Sequence, residues 1–259
     1  MPETVAAYIA DCAGRLKVGS IQRRLNAITE AHKAIGLESP THSAMVANTM
    51  KGIRRTKGTA PAQKAAALTD DIRTMVEVAD AGLIGARDRA PILLGFAGAF
   101  RRSERAGRCG FRLRQGRADC HVAPVQDGSG RAGPEGGHTY GANPDTCPVR
   151  TVQGWLELAS IASGPLFCSI TRHGQLQPER LSSIDVARVV KKLAQRAGLD
   201  PTKFAGHSLR AGHATSAAIA GASERSIMNQ TGHRSVQMVR RYIRDGSLFR
   251  DNSAGKLGP

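Results

Sequence analysis

The sequence predicts a mainly α-helical protein built from two domains. Two observations support this prediction. Apolar residues recur at helical spacing through most of the 259 residues. The stretch GTAPAQKAA at 58–66 has the composition of a linker. One long segment, 105–139, is an exception, since it follows neither helical nor strand spacing. We therefore predict a small helical domain at 1–60 and a larger α-rich domain at 61–259.

The front domain is predicted to contain three short helices. The first spans 2–13, with its apolar residues on one face: Val5, Ile9 and Cys12. The second spans 20–36, between a capping Ser20 and a terminating Gly36, and its apolar stripe is Ile21, Leu25, Ile28 and Ala31. The third spans 41–58 and ends in a basic cluster, Lys51, Arg54, Arg55 and Lys57.

The second domain is predicted to hold six further helices, and their ends carry the expected residues. Thr69, Ser223 and Ser235 are candidate caps, and Ser182 with Asp185 forms a capping box. Glycines at 198 and 221 end two of the helices. The predicted helical stretches are 69–81, 86–104, 180–198, 206–221, 223–232 and 235–246.

Segment 105–139 breaks this pattern. It contains eight glycines, no isoleucine and a single leucine, Leu113. An ordered loop of this length inside a compact domain is unusual. Glycine makes ordering costly in entropy, and almost no alternating apolar face offsets that cost. We therefore expect weak or irregular structure here, in which three paired strands cannot form.

The net charge is +16 and the sequence pI is near 10.5. Such a surplus indicates a polyanionic partner, for which nucleic acid is the best candidate. A membrane surface is disfavoured because no isolated basic amphipathic helix is present. The start of the chain lacks a basic n-region, and the longest apolar run, 90–100, is too short to cross a bilayer. We expect a cytoplasmic protein with reduced cysteines.

Metal binding is not predicted. A zinc site could be imagined from side chains in and beside the glycine-rich segment, but their spacing fits no common ligand pattern. These side chains are Cys109, Cys120, His121 and His138.

Three short motifs could together perform phosphoryl transfer without metal. Arg101 and Glu104 stand at i,i+3, as do His207 and Arg210, and Tyr242 follows His233 by nine residues. Two arginines can hold the non-bridging oxygens of a phosphate and stabilise its transition state. A nearby histidine such as His207 can activate the tyrosine for attack on phosphorus.

Each motif alone is more often a local surface pair or a solvated basic helix. We interpret His213, in the same region, as a structural core residue.

In order and spacing, these motifs resemble the tyrosine recombinase, or phage integrase, family. That family carries GxRxSE, then HxxR, then GH, then a tyrosine nine residues after that histidine. The matching residues here are Ala99 to Glu104, His207 to Arg210, Gly232-His233 and Tyr242. The resemblance covers most of 2–104 and 140–252. It implies a truncated helical core-binding (SAM-like) domain at 1–60 and the catalytic domain at 61–259, whose small β-sheet is expected to be degraded.

The resemblance also implies roles for individual residues. Tyr242 would be the nucleophile, and Glu104 would support one of the residues that activate the scissile phosphate: Arg101, Arg210, His207 and His233. The partner would be double-stranded DNA, bound by a homo-oligomer (tetramers in the family), with no cofactor and no membrane. The candidate DNA-binding residues are Arg23, Arg24, Lys51, Arg54, Arg55, Arg240 and Arg241.

The sequence departs from the family in two places. The family's general-acid lysine, on a β-hairpin within an SKTD-like stretch, has no counterpart, since no lysine lies between Lys64 and Lys191. Codons permitted for 125–130, read one base later, encode Ser-Lys-Thr-Asp-Gln. We therefore hypothesise that about 103–139 is translated in the wrong frame; the alternative is a divergent loop. The family's first helix is also missing from the start, which we interpret as truncation.

Four functions remain open from the sequence. The leading hypothesis is a site-specific recombinase or integrase of a mobile element, in a damaged copy. The second is a DNA-binding protein without strand transfer, which the missing lysine favours. A type IB topoisomerase shares this chemistry, but the two-domain length and GHRS…Y spacing favour a recombinase. A basic ribosome-associated protein fits the charge and leaves the motif order unexplained.

Overall fold

The residues described by the computed structural model fall into two compact units, Met1–Gln63 and Lys64–Pro259. Within 109–139 and 244–247 the description covers the backbone alone. The described residues are 1–58, 64–100, 109–114, 117–122, 136–141, 143–233 and 235–247.

The first unit is a small helical bundle with one core. The apolar stripes of its helices meet in that core, which contains Val5, Ile9, Cys12, Ile21 and Leu25 as predicted. Ala31 is exposed instead, because α2 buries only its earlier turns. The elements are α1 (Pro2–Arg15), α2 (Val18–Ala34), a 3₁₀ turn (Pro40–His42) and α3 (Ala44–Lys57).

One predicted cap in this unit is wrong. α2 begins at Val18 rather than after Ser20, because the Lys17 carbonyl already accepts the amide protons of Ser20 and Ile21. The terminating role predicted for Gly36 is confirmed, since α2 ends at Ala34 and Gly36 adopts positive φ just beyond it.

The second unit contains seven helices among its described residues, and six of them match predicted stretches. Thr69 is the first helical residue of α4 rather than its cap, and the Asp71 carboxylate accepts from the Leu68 amide. The helix α6 was not predicted. The seven are α4 (Thr69–Glu77), α5 (Gly82–Ala97), α6 (Pro148–Leu158), α7 (Ser183–Arg196), α8 (Gly206–Ile219), α9 (Glu224–Thr231) and α10 (Val236–Ser247).

Helix α5 is the centre of this unit because it contributes to cores on two sides. Ile92 and Leu93 pack with α4 and α7. Leu94 packs with α6 and Trp155, whose indole N–H donates to the Leu166 carbonyl at 2.8 Å. A third core joins α8, α9 and α10. The first two cores thereby hold α5 from two sides.

The helix predicted over 86–104 ends earlier than expected. α5 stops at Ala97, Gly98 caps it, and Ala99 adopts a left-handed conformation with φ 48°. Ala99 and Phe100 are both buried. The chain therefore turns sharply just before Arg101.

Segment 105–139 contains three paired strands. They form an antiparallel sheet in the order β1-β2-β3, with Phe111 opposite Cys120 and Ala118 opposite His138. A second, two-stranded sheet pairs β4 with β5. The strands are β1 (Cys109–Arg114), β2 (Arg117–Val122), β3 (Gly136–Thr139), β4 (Cys168–Ile170) and β5 (Leu176–Arg180).

The mainly α-helical fold is confirmed, but the expectation that three paired strands cannot form in 105–139 is wrong. The ladder is made by main-chain groups, which every residue except proline supplies in full. Side-chain preference changes strand stability by only about 1 kcal/mol per residue and depends on context. Residues 125–130, on which the reading-frame hypothesis rests, lie outside the described residues.

Candidate active site

The first turn of α8 presents two of the predicted catalytic residues. Ala205 is extended, and its amide donates to the Ser208 hydroxyl at 3.0 Å, which fixes the start of the helix. The Ser208 carbonyl accepts from the Ala67 amide at 3.0 Å. His207 is exposed at this start, whereas Arg210, one turn later, is buried with 3% exposure.

The buried Arg210 joins α8 to the turn after α5. Its Nη1 donates to the Ala99 carbonyl at 2.7 Å. Gln230 on α9 holds the same turn, since its Nε2 donates to the Ala97 carbonyl at 3.1 Å. The chain that leads into Arg101 is thus anchored to both α8 and α9. Arg101 and Glu104 themselves lie outside the described residues.

The end of α9 places His233. Gly232 is left-handed, with φ 61°, and its amide donates to the Met228 carbonyl at 2.7 Å. A side chain would be strained at this φ, so glycine suits the position. The turn brings His233 Nδ1 to 2.7 Å from the Thr231 hydroxyl.

Tyr242 lies on α10 between the two histidines. The residue is 8% exposed and belongs to the core with Ala211, Ile227 and Val239. Its hydroxyl is 3.3 Å from His207 Nε2. The rings of Tyr242 and His233 have centroids 5.6 Å apart, tilted by 40°.

The described part of the chain therefore brings together four of the five predicted catalytic residues. His207 and His233 contact Tyr242, and Arg210 lies one helical turn from His207. A tyrosine hydroxyl beside a histidine nitrogen is an arrangement suited to nucleophilic attack assisted by a base.

Five of the candidate DNA-binding residues lie on α2 and α3 of the first unit, where all five are exposed. Arg54 donates to the Gln22 side chain at 2.7 Å, so the basic positions of the two helices are neighbours. Arg24 bonds the Tyr8 hydroxyl and lies 5.8 Å from the centre of that ring. We call this set the α2–α3 basic surface: Arg23, Arg24, Lys51, Arg54 and Arg55.

The other two candidates flank Tyr242 on α10. Arg240 and Arg241 are exposed. Arg240 pairs with Glu224 at 3.0 Å, which ties α10 to the start of α9. This contact gives Arg240 a structural role in addition to the predicted one.

Three residues that shape the site were not predicted to do so: Ala99, Gln230 and Thr231. Ala99 stands at the glycine position of the GxRxSE motif, and that glycine was the available signal for a left-handed conformation. Gln230 and Thr231 act through side-chain bonds that need the fold to bring their partners near. For Gln230 and Thr231 the only available signal was proximity, since both directly precede the Gly232-His233 pair.

His213 lies on α8 with its ring edge-on to Phe96, 5.9 Å between centroids. Among the described side chains, no group of three or more His, Cys, Asp or Glu residues could hold a metal ion. Within the described residues, no helix combines the length and apolarity needed to cross a bilayer.

The region that contains α8, α9 and α10 is similar to known proteins. Residues 145–247 match the model of the phage integrase family. An integrase/recombinase XerD homologue of Selenomonas ruminantium is 40% identical over 269 residues, covering 99% of this chain and 77% of that protein. Recombinase Cre of Escherichia phage P1 is 26% identical over 270 residues, covering 94% and 76%.

The fold is also similar to solved structures. The XerH site-specific recombinase bound to a palindromic difH substrate, in a post-cleavage complex, superposes with a TM-score of 0.67. The match covers 98% of this chain and 71% of that one at 16% sequence identity. At this identity, the similarity concerns the fold alone.

Proposed function

We propose, since the chain belongs to the phage integrase family, that it is a site-specific DNA recombinase that cuts and rejoins DNA through a 3′-phosphotyrosine. The observation that carries this proposal is the contact of 3.3 Å between His207 Nε2 and the Tyr242 hydroxyl. This contact joins the proposed nucleophile, Tyr242, to the residue that would activate it, His207.

In the proposed cleavage step, the Tyr242 oxygen attacks the scissile phosphorus. A bond forms between phosphorus and that oxygen, and the bond from phosphorus to the 5′-oxygen breaks. The Tyr242 proton passes to His207 Nε2, and the departing 5′-oxygen takes its proton from solvent water. Rejoining reverses these steps when a 5′-hydroxyl attacks the phosphotyrosine.

The proposed roles of the other residues follow from charge and position. Arg210 and Arg101 would hold the non-bridging oxygens, whose charge grows in the transition state. Glu104 would support Arg101. His233, against the Tyr242 ring, would contact the same phosphate.

DNA binding is proposed to involve both units. The α2–α3 basic surface, together with Arg240 and Arg241, offers exposed cations for backbone phosphates. We propose double-stranded DNA as the partner, a homo-oligomer as the working assembly and the cytoplasm as the location. The net charge of +16 supports a polyanionic partner.

The experiment that tests the activity uses a suicide substrate, a duplex nicked just 3′ of the cleavage site, so that the short fragment carrying the new 5′-hydroxyl diffuses away and rejoining cannot occur. A recombinase traps itself as a covalent adduct, seen as a band that survives denaturation. A protein that only binds DNA shifts the duplex in a native gel and forms no adduct.

One observation favours that second candidate function, DNA binding without strand transfer. The sequence has no lysine between Lys64 and Lys191, where the family carries its general acid. The same suicide substrate separates the two, provided that incubation is long enough to detect slow cleavage.

A further inference from the structure

The hydroxyl of Thr231 lies between a backbone carbonyl and the ring of His233. Thr231 occupies the last turn of α9 and is 1% exposed. Its Oγ1 is 2.6 Å from the Ile227 carbonyl oxygen and 2.7 Å from His233 Nδ1. Both distances are within the normal range for hydrogen bonds.

Proton counting fixes the direction of both bonds. A threonine hydroxyl has one proton, and a carbonyl oxygen can only accept. At 2.6 Å from the Ile227 oxygen, the hydroxyl must donate its proton there. It can then only accept from His233, so Nδ1 carries the hydrogen.

The backbone makes this contact possible. Gly232 turns left-handed between the two residues, with φ 61° and ψ 31°. The side chains of Thr231 and His233, two residues apart, therefore meet on one side of the turn. A residue without a hydroxyl at 231 would offer Nδ1 no acceptor from this position.

We propose that Thr231 is a positioning residue that holds His233 in the Nδ1–H tautomer and fixes its ring beside Tyr242. Nε2 then carries the chemistry toward the reacting phosphate: it accepts a proton when the ring is neutral and donates when the ring is protonated. The tautomer is a property of the free protein, whereas its effect on rate rests on the proposed recombinase function.

The first test measures the tautomer by nitrogen-15 NMR of protein labelled in histidine, with the His233 signals assigned from a His233→Gln variant. We expect Nδ1 protonated and Nε2 unprotonated in the neutral ring of the parent protein. Thr231→Val, which keeps the shape and removes the hydroxyl, should shift the population toward Nε2–H. Thr231→Ser should retain the parent pattern.

The matched control is Thr215→Val. Thr215 on α8 is also buried, with 4% exposure, and its hydroxyl has no hydrogen-bond partner among the described residues. Its removal should therefore leave the His233 tautomer unchanged. A parent protein with Nε2 protonated and Nδ1 unprotonated would overturn the proposal, and so would an unchanged tautomer in Thr231→Val.

The second test measures single-turnover cleavage of the suicide substrate. Thr231→Val should slow adduct formation by about 10- to 100-fold, by analogy with the effect of removing the partner that orients a metal-binding histidine. DNA affinity should stay the same, Thr231→Ser should restore the rate, and Thr215→Val should cleave like the parent.

The outcomes separate the two proposals. An altered tautomer with an unaltered cleavage rate would contradict the positioning role. If the parent protein formed no adduct at all, the proposed function would fail, while the tautomer measured by NMR would still decide the structural part of the inference.

Discussion

Tyr242 has two demands on its environment, because its ring is packed in a core while its hydroxyl must reach a phosphate. The ring packs with Ile227 and Val239, and the hydroxyl faces His207 at 3.3 Å. An ordinary tyrosine has a pKa of about 10 and is a weak nucleophile at neutral pH. A neighbouring base and a cationic field around the phosphate supply what the side chain lacks.

Removing the Tyr242 hydroxyl should abolish the covalent adduct. In Tyr242→Phe the ring keeps its packing, so DNA binding by gel shift should be nearly unchanged. The matched control is Tyr8→Phe, which removes a hydroxyl from the first unit, where it bonds Arg24. That variant should still form the adduct. An adduct that survives in Tyr242→Phe would refute the assignment of the nucleophile.

The residues of the site differ in how visible they were in the sequence. Residue type and spacing were enough to predict four of them: His207, Arg210, His233 and Tyr242. The left-handed backbone of Ala99, with φ 48°, was not predicted, although Ala99 stands at the glycine position of the GxRxSE motif. A left-handed conformation costs an L-residue about 1–2 kcal/mol, and burial with the bond from Arg210 holds it in place.

Helix α8 approaches its neighbour so closely that one position tolerates no side chain. A Cβ on Gly212 would lie 1.7 Å from the Ala67 carbonyl oxygen, a backbone atom that cannot rotate away. The Ala67 amide also bonds the Ser208 carbonyl. This close approach therefore sets the position of the helix that carries His207 and Arg210.

Gly212→Ala should destabilise the protein by about 1–3 kcal/mol or more, the usual cost of overpacking, and should slow cleavage because α8 must shift. Urea unfolding and single-turnover cleavage measure the two effects. Gly154→Ala on α6 is the matched control, since nothing lies within 4 Å of its Cβ. It should stabilise by up to about 1 kcal/mol. A stable, fully active Gly212→Ala variant would show that the packing at this position is loose.

Helix α7 is tied to the α4–α5 connection by a shared carboxylate. Lys192 Nζ and Arg196 Nη1 lie 2.8 Å and 2.6 Å from the two oxygens of Asp80. Hydrogen bonds from Lys192 and then Arg196 lower the Asp80 pKa to about 2. Since the folded pKa lies below the ordinary value, this carboxylate stabilises the fold above about pH 4, and the contribution disappears as the pH falls toward 2.

Asp80→Asn should therefore lower the free energy of unfolding at neutral pH. The difference from the parent should be constant above about pH 5 and should shrink as the parent carboxylate becomes protonated. Urea unfolding across this pH range measures it. Asp70→Asn is the control. The Asp70 side chain, which pairs with Arg73, is 92% exposed, so this pair should contribute little to the free energy of unfolding. A difference that grew on acidification would contradict the pairing.

Helices were predictable from sequence to a degree that strands were not. Ser182 and Ser223 cap α7 and α9 as predicted, because caps depend on local bonds. The strands β1 to β3 pair through main-chain groups, even where the strands are neighbours in sequence, as with Arg114 opposite Arg117. Glycine-rich composition conceals such pairing, because it supplies no alternating apolar face.

The net charge of the whole molecule is +16, and the α2–α3 basic surface is where we expect that charge to bind DNA phosphates. Neutralising Arg54 and Arg55 should weaken binding to all DNA sequences alike. The slope of log affinity against log salt should fall by about 0.9 for each phosphate that the variant no longer neutralises. The control is Lys33→Ala, which removes one exposed charge at the far end of α2 and is compared with Arg55→Ala, a single variant of the basic surface. Weaker binding to one DNA sequence alone would indicate base recognition instead.

The missing lysine is a property of the whole chain, since the gap runs from Lys64 to Lys191. In cleavage, the 5′-oxygen leaves as a strongly basic alkoxide unless a group protonates it. Absence of a general acid costs on the order of 10²–10⁴-fold in rate. We therefore expect slow cleavage of ordinary DNA. The one-base-shifted translation of the segment, with its Ser-Lys-Thr-Asp-Gln stretch, should restore the rate.

A substrate with sulfur in place of the bridging 5′-oxygen isolates this defect. A thiol has a pKa of about 8.5 and leaves readily as the thiolate without a proton. If the protein lacks a general acid, the sulfur substrate should therefore form the adduct up to about 10²–10⁴-fold faster than the oxygen substrate. Tyr242→Phe should show no rescue, because it lacks the nucleophile. Equal rates for the oxygen and sulfur substrates would mean that another group protonates the leaving oxygen. Sequencing the gene tests the reading-frame hypothesis separately. Codons for 125–130 that cannot encode Ser-Lys-Thr-Asp when read one base later would refute it.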